Sequence, residues 1–196
     1  RGPLVRVLNH AGSFLRGHGI AGEYGLGAPD DGRFDQPAER FGFSGTAPVF
    51  RADTLRRLGG FASRFFAYNE DTDWCLRARL AGLRIVYDPR GVVTHRLSAT
   101  SGGPREAFVR FLARRNSLLC LARNAPADVA REHLVRRITE GPGEGVRRAV
   151  LENLPWAVAT RLAMHRIWAE SPRQVWDAWA DQDRSWDDSP VAPRPA

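Results

Sequence analysis

Two adjacent carboxylates, Glu70 and Asp71, stand where a helical pattern begins, and a third, Asp73, follows two residues later. A histidine, His95, closes a β-branched run further along the chain. Carboxylates can serve as a general base on a hydroxyl or as ligands to a hard divalent cation. An imidazole adds a nitrogen ligand to such a set. Each feature alone has a plainer account. Acids at a helix start accept orphan backbone N–H bonds and complement the helix dipole. Asp71-Thr72-Asp73 matches a D-x-D metal pattern, but three residues with a free middle position say little. A single histidine after a strand is ordinarily a hydrogen-bonded core or edge residue. His10, His18, His133 and His165 have no partner spacing and are assigned no role. All 29 basic side chains are arginine, so lysine chemistry, whether a Schiff base or a Walker-type phosphate ligand, is excluded.

The elements that must hold these groups follow from periodicity. Residues 1–45 are glycine-rich and irregular, with a short extended piece at Leu4–Leu8 and a turn at Pro29-Asp30-Asp31-Gly32. Thr46–Arg51 reads as a short strand, and Ala52–Leu58 as helical turns stopped by Gly59-Gly60. A helix starts at Asn69-Glu70-Asp71, carries Trp74, Arg77, Ala78 and Ala81 at helical spacing, and ends at Gly82. Arg84–Pro89 and Gly91–His95 read as two short strands. Helices are then expected at Glu106–Asn124, Ala127–Thr139, Val146–Glu170 and Pro172–Ala180, with Gly141-Pro142-Gly143 breaking the second from the third. Asp181–Ala196 reads as a disordered acidic, proline-rich tail.

Composition bounds the rest. The 196 residues suffice for one domain with an appendage, and 43% apolar with 26% charged residues is ordinary for a globular protein. The net charge of +7 is uneven: Arg105–Arg173 holds thirteen arginines against seven acids, and Gln174–Ala196 two against five. That balance admits nucleic acid, an anionic membrane surface or phosphate-bearing substrates as partners. Cys75 and Cys120 match no metal or redox spacing and read as buried free thiols in a reducing compartment. No apolar stretch reaches the roughly 18–20 residues of a spanning helix.

Taken in order, Phe43-Ser44-Gly45-Thr46-Ala47-Pro48-Val49-Phe50-Arg51, Leu58-Gly59-Gly60-Phe61, Arg64–Arg77, Ala81-Gly82, Val86-Tyr87-Asp88-Pro89 and Val93-Thr94-His95 resemble the second half of the catalytic domain of family 2 glycosyltransferases of GT-A fold. The likeness is notably to the rhamnosyltransferase-like and galactofuranosyltransferase-like members, and it runs from about Phe41 to Asn124. Phe111–Leu119 is similar to the family's post-catalytic helix. The resemblance implies an α/β fold: a partial GT-A domain over residues 1–104 without its nucleotide-binding half, a helical extension over 105–180 and a tail over 181–196. It implies Asp71 as the general base on the acceptor hydroxyl, supported by Glu70, and His95 as ligand to a divalent metal, Mg²⁺ or Mn²⁺. Ser44, Gly45 and Thr46 would form the glycine loop beside donor and acceptor. Tyr68, Asp73 and Trp74 would stand on the substrate side as stacking or pocket-wall residues.

The implied activity is inverting transfer from a nucleotide-sugar donor to a glycan or lipid-linked acceptor, in cell-surface polysaccharide or glycolipid synthesis. Its expected place is cytoplasmic; the basic helix Val146–Glu170 either packs on the catalytic domain with its arginines solvated, the reading favoured here, or makes peripheral contact at the inner face of the cell membrane. Two rivals stand beside it. The absent donor half motivates a non-catalytic remnant or partner-dependent subunit. Charge alone motivates a nucleic-acid binder, and the sequence carries no RNP-like motif, zinc spacing or aromatic-interleaved basic stripe to support it; no nucleic-acid partner is expected.

Overall fold

The computed structural model describes residues 7–95, 107–141 and 143–181. In chain order it has strands β1 (Ser13–Arg16), β2 (Ala21–Glu23) and β3 (Ala38–Glu39), helix α1 (Ala52–Leu58), a 3-10 turn at Ser63–Phe65, helix α2 (Glu70–Leu80) and strand β4 (Val86–Tyr87). Helices α3 (Ala107–Asn124), α4 (Ala127–Thr139) and α5 (Glu144–Met164) follow, then a 3-10 turn at His165–Ile167, helix α6 (Pro172–Trp179) and strand β5 (Ala180–Asp181). The strands form a three-stranded sheet in the order β2-β1-β5 and a two-stranded β3-β4 ribbon. β1 runs antiparallel to β2, with Ser13 opposite Glu23, and parallel to β5. The class is mixed α/β, with helices dominant.

α2 is the central rod. Glu70, Asp71 and Asp73 occupy its first turn and Arg77 and Arg79 its last, matching the dipole at both ends. Every residue from Thr72 to Leu80 is buried, so the charged ones need partners inside. Arg77 donates to Leu58 O at 2.7 Å and Gly60 O at 2.9 Å, and Arg79 to Phe41 O at 3.1 Å and Leu83 O at 3.2 Å. Loop carbonyls that no strand pairs are thus satisfied by guanidinium forks. Gly42 lets the adjoining loop lie against this helix: a Cβ there would sit 2.7 Å from Cys75 Sγ.

The principal core joins Leu15, Phe41, Phe65, Leu76 and Leu80 to Leu119, Leu121, Val150 and Trp176. The helices after Ala107 therefore complete the same core that α2 occupies. Cys75 and Cys120 are free and buried, as their apolar settings imply, and burial pushes both thiols well above the ordinary range.

Three expected elements differ. Thr46–Arg51 is a turn followed by irregular chain, not a strand: Pro48 lacks the N–H a ladder needs, and Val49 is 98% exposed. Phe50 alone anchors the segment, against Trp74 at 4.7 Å and Phe61 at 6.1 Å. Gly91–His95 is likewise irregular and exposed, following a tight turn in which Arg90 grips Asp88 at 2.6 Å. α5 starts at Glu144 and gives way to a 3-10 turn at His165, earlier than Glu170. Most of Leu4–Leu8, the 104/105 boundary and nearly all of the Asp181–Ala196 tail lie outside the described residues.

Candidate functional site

The chain enters α2 through a strained approach. Phe66, Tyr68 and Asn69 have φ of 66°, 70° and 64°, a region that side-chain-bearing residues rarely adopt. Phe66, with ψ of −65°, is the centre of a γ-turn closed by Ala67 N–H to Phe65 O at 2.9 Å, the uncommon form of that turn. Asn116 of α3 holds the approach. Its side chain is fully buried, and Nδ2 donates to Phe65 O at 2.9 Å, Ala67 O at 2.8 Å and Tyr68 O at 2.7 Å. Arg115 Nη2 adds bonds to Arg64 O at 2.8 Å and Phe65 O at 3.0 Å. These two residues fix where Glu70 and Asp71 emerge.

The glycine loop meets that first turn. Gly45 N–H donates to Asp71 Oδ2 at 3.0 Å, and Thr72 N–H donates to Asp71 Oδ1 at 2.7 Å. The Thr72 hydroxyl also reaches Oδ1, at 3.4 Å, so Asp71 is oriented from both sides and Oδ2 is the oxygen that accepts a single bond from the described residues. Glu70 is half-buried, and its Oε2 accepts no hydrogen bond from the described residues. Burial, and then the charge of Asp71, raise the Glu70 carboxyl above the usual range. Glu23 of β2 is raised in the same way, by burial and then by Asp71, which puts a third carboxylate within electrostatic reach.

His10 supports the loop from beneath. Its Nε2 lies 3.0 Å from Ser44 N–H and 3.0 Å from Ser13 Oγ, and its Nδ1 accepts from Gly12 N–H at 3.2 Å. Both ring nitrogens face backbone N–H donors, so the neutral ring can accept from one of them and the cation from neither. Burial first, and the charge of Arg40 second, lower this histidine to about 4. Ser44 Oγ and Thr46 Oγ1 pair at 3.1 Å, and Gly45 and Thr46 are exposed. The structure therefore brings Ser44, Gly45 and Thr46 together with Glu70 and Asp71 at an open edge.

Other expected residues stand elsewhere. Asp73 is fully buried: Oδ2 accepts from Arg77 Nε at 2.9 Å, and Oδ1 accepts from Asn124 Nδ2 at 2.8 Å and pairs with Arg123 Nε at 3.4 Å. It ties α2 to α3 and does not face substrate. Trp74 is 3% exposed, donates Nε1–H to Gly59 O at 3.0 Å and packs on Phe43 at 5.5 Å and Phe50; it is core, not a sugar platform. Tyr68 is half-buried beside Asn116. Glu23, His10, Arg115 and Asn116 were not singled out by spacing. The first two sit in glycine-rich chain without periodicity, and the last two look like ordinary members of an amphipathic helix.

His95 is exposed, with Nδ1 3.4 Å from Asn9 Nδ2. Among the described residues no group of three or more His, Cys, Asp or Glu side chains is placed to hold a metal. His95 alone does not make a ligand set for Mg²⁺ or Mn²⁺, and no chemical step is derived through one. What the site offers is an oriented carboxylate, a second, half-buried carboxylate whose Oε2 is closed off from solvent, and an exposed glycine loop beside them. Compared with protein-family models, curated proteins and solved structures, the chain matches none of them.

Proposed function

We propose that this edge is the acceptor side of an inverting glycosyltransferase of the family 2, GT-A type. An acceptor hydroxyl enters beside Gly45 and Thr46. Asp71 takes its proton as the oxygen attacks the anomeric carbon of a nucleotide-sugar, and the nucleotide leaves with the bonding electrons, inverting the configuration. Glu70 binds a neighbouring acceptor hydroxyl through Oε1, the oxygen next to Gly45. The observation that carries the reading is the 3.0 Å bond from Gly45 N–H to Asp71 Oδ2: it joins two segments 26 residues apart that the resemblance assigns to one site. The divalent cation belongs to the resemblance and not to the described side chains.

The acceptor class is a glycan or a lipid-linked glycan, met at the cytoplasmic face of a membrane. No helix among the described residues is long and apolar enough to cross one. Supporting a surface contact, Leu151, Val158 and Leu162 of α5 are exposed at 51%, 45% and 68%, and their spacing places them on one stripe. Saturation-transfer NMR with a panel of acceptor glycans tests the reading. Binding is expected, weakened about fivefold in Glu70→Gln, the worth of one hydrogen bond of about 1 kcal/mol. A chain that binds no glycan contradicts it.

A further inference from the structure

Little in the backbone holds the glycine loop. Its foot is fixed to β1, where Ser13 N–H donates to Gly42 O at 2.8 Å and Gly42 N–H to Ser13 O at 3.2 Å. One residue on, Phe43 N–H meets Cys75 Sγ at 3.4 Å. Beyond Phe43, no backbone–backbone hydrogen bond reaches Ser44, Gly45 or Thr46 among the described residues. Packing does not replace it: Gly45 and Thr46 are exposed, and a Cβ on Gly45 would meet nothing nearer than 3.6 Å. Gly45 N–H is nonetheless aimed at Asp71 Oδ2, so its direction is set from outside the loop.

His10, three residues before β1, reaches the loop at the right place. Its Nε2 meets Ser44 N–H at 3.0 Å, across 34 residues of chain. Ser44 N–H and Gly45 N–H belong to successive peptide planes, and only Ser44 φ and ψ lie between those two rigid units. Pinning the first plane therefore limits where the second can point. The ring is held at its own base, with Gly12 N–H 3.2 Å from Nδ1 and Ser13 Oγ 3.0 Å from Nε2. Those residues stand at the start of β1, so the imidazole transmits the position of the sheet to the loop.

Two backbone donors compete for one acceptor. A neutral imidazole has a single bare nitrogen, and burial together with Arg40 keeps this ring neutral at pH 7. The contact with the loop is the shorter, 3.0 Å against 3.2 Å. A proton on Nε2 would set one N–H against another at that distance, whereas the Ser13 hydroxyl can rotate to suit either tautomer. The geometry favours the form with Nδ1 protonated, leaving Gly12 N–H at the longer contact.

We infer that His10 is the positioning residue of the glycine loop: its bare Nε2 holds Ser44 N–H and so aims Gly45 N–H at Asp71. This role rests on the reading of Asp71 as the base, and His10 acts on that base through the loop, not on the substrate.

Long-range proton–nitrogen NMR correlation of the imidazole, on the isotope-labelled 196-residue chain at pH 7, reads the tautomer; Nε2 is expected bare and Nδ1 protonated. A proton on Nε2 overturns the assignment. Two variants separate the two nitrogens, because a glutamine amide reaches about as far as Nε2 and an asparagine amide only as far as Nδ1. In His10→Asn, exchange of the Gly45 amide should quicken about fivefold, the equivalent of one hydrogen bond of about 1 kcal/mol. In His10→Gln it should change less than about twofold. Equal exchange in the two variants overturns the role, as does Gly45 exchange in His10→Asn no faster than in wild type. In the natural gene product that carries this chain, His10→Asn should lower kcat with KM nearly unchanged, and His10→Gln should restore it. Quickened Gly45 exchange without any loss of transfer leaves His10 as the holder of the loop and counts instead against Asp71 as the base.

Discussion

Removing the Asn116 amide isolates the cause of the site's geometry. Each of Phe66, Tyr68 and Asn69 carries the cost of a positive φ, about 1–2 kcal/mol per residue, so the approach stores about 3–6 kcal/mol. Asn116 Nδ2 donates to Ala67 O and Tyr68 O, whereas Phe65 O keeps Arg115 when Asn116 is lost. Two stranded carbonyls at about 1–1.5 kcal/mol each give about 2–3 kcal/mol of destabilisation for Asn116→Ala. Asn116→Asp should be worse, because a carboxylate offers no donor and faces carbonyl oxygens. Urea denaturation measures the loss, and amide exchange over Ala67–Asp71 locates it. Exchange there should quicken well beyond exchange in α4. A loss below about 0.5 kcal/mol, within the range of an ordinary surface change, with unchanged exchange at Ala67–Asp71 would refute the claim that Asn116 holds the strained approach.

Four further outcomes follow from the same contacts. Gly45→Ala should fold normally, because its Cβ would lie in ordinary contact at 3.6 Å from Glu70 Oε1 and 3.8 Å from Asp71 Oδ2; glycan binding should fall while the urea midpoint stays put. Asp73→Ala should cost about 3–5 kcal/mol, since Arg77 and Arg123 would be left as buried charges without a carboxylate; an unchanged melting temperature would contradict this. Glu70 has a folded pKa above its unfolded one, so its stabilising form is the protonated one, lost as pH rises through the folded value. Glu70→Gln should therefore be more stable than wild type at pH 7 and show no advantage at pH 4 by urea titration. His10 is lowered from 6.5 to about 4, so stability present above pH 6.5 is lost as pH falls towards 4; thermal melts of His10→Asn should show a shallower acid slope.

Legibility followed local order. α1 and α4 carry sharp local signals, glycines after one and a proline before the other, and the structure has them at the expected residues. Thr46–Arg51 misled because its apolar and β-branched residues suit a strand, yet Val49 faces solvent and only Phe50 has a hydrophobic pocket to fill. Within the site, Gly45 and Asp71 were paired through an ordered motif, and a backbone bond joins them. Asp73 and Trp74 share that motif but point along the buried side of α2, which adjacency in sequence cannot reveal because successive helical residues face about 100° apart. Asn116 was invisible for a different reason. Its role depends on three carbonyls in a loop 48–51 residues away, and nothing in an amphipathic helix marks one polar residue as turned inward.

The central claim is that Asp71, oriented by Gly45, accepts the proton of an acceptor hydroxyl. Its most direct test is the transfer rate of Asp71→Asn, in the natural gene product that carries this chain, with donor binding measured alongside. Asparagine keeps the shape and can still accept Gly45 N–H, but cannot take the proton. The account expects transfer to fall by about 10²–10⁴-fold, the usual worth of a positioned base, with nucleotide-sugar affinity unchanged. Transfer at the wild-type rate would contradict it.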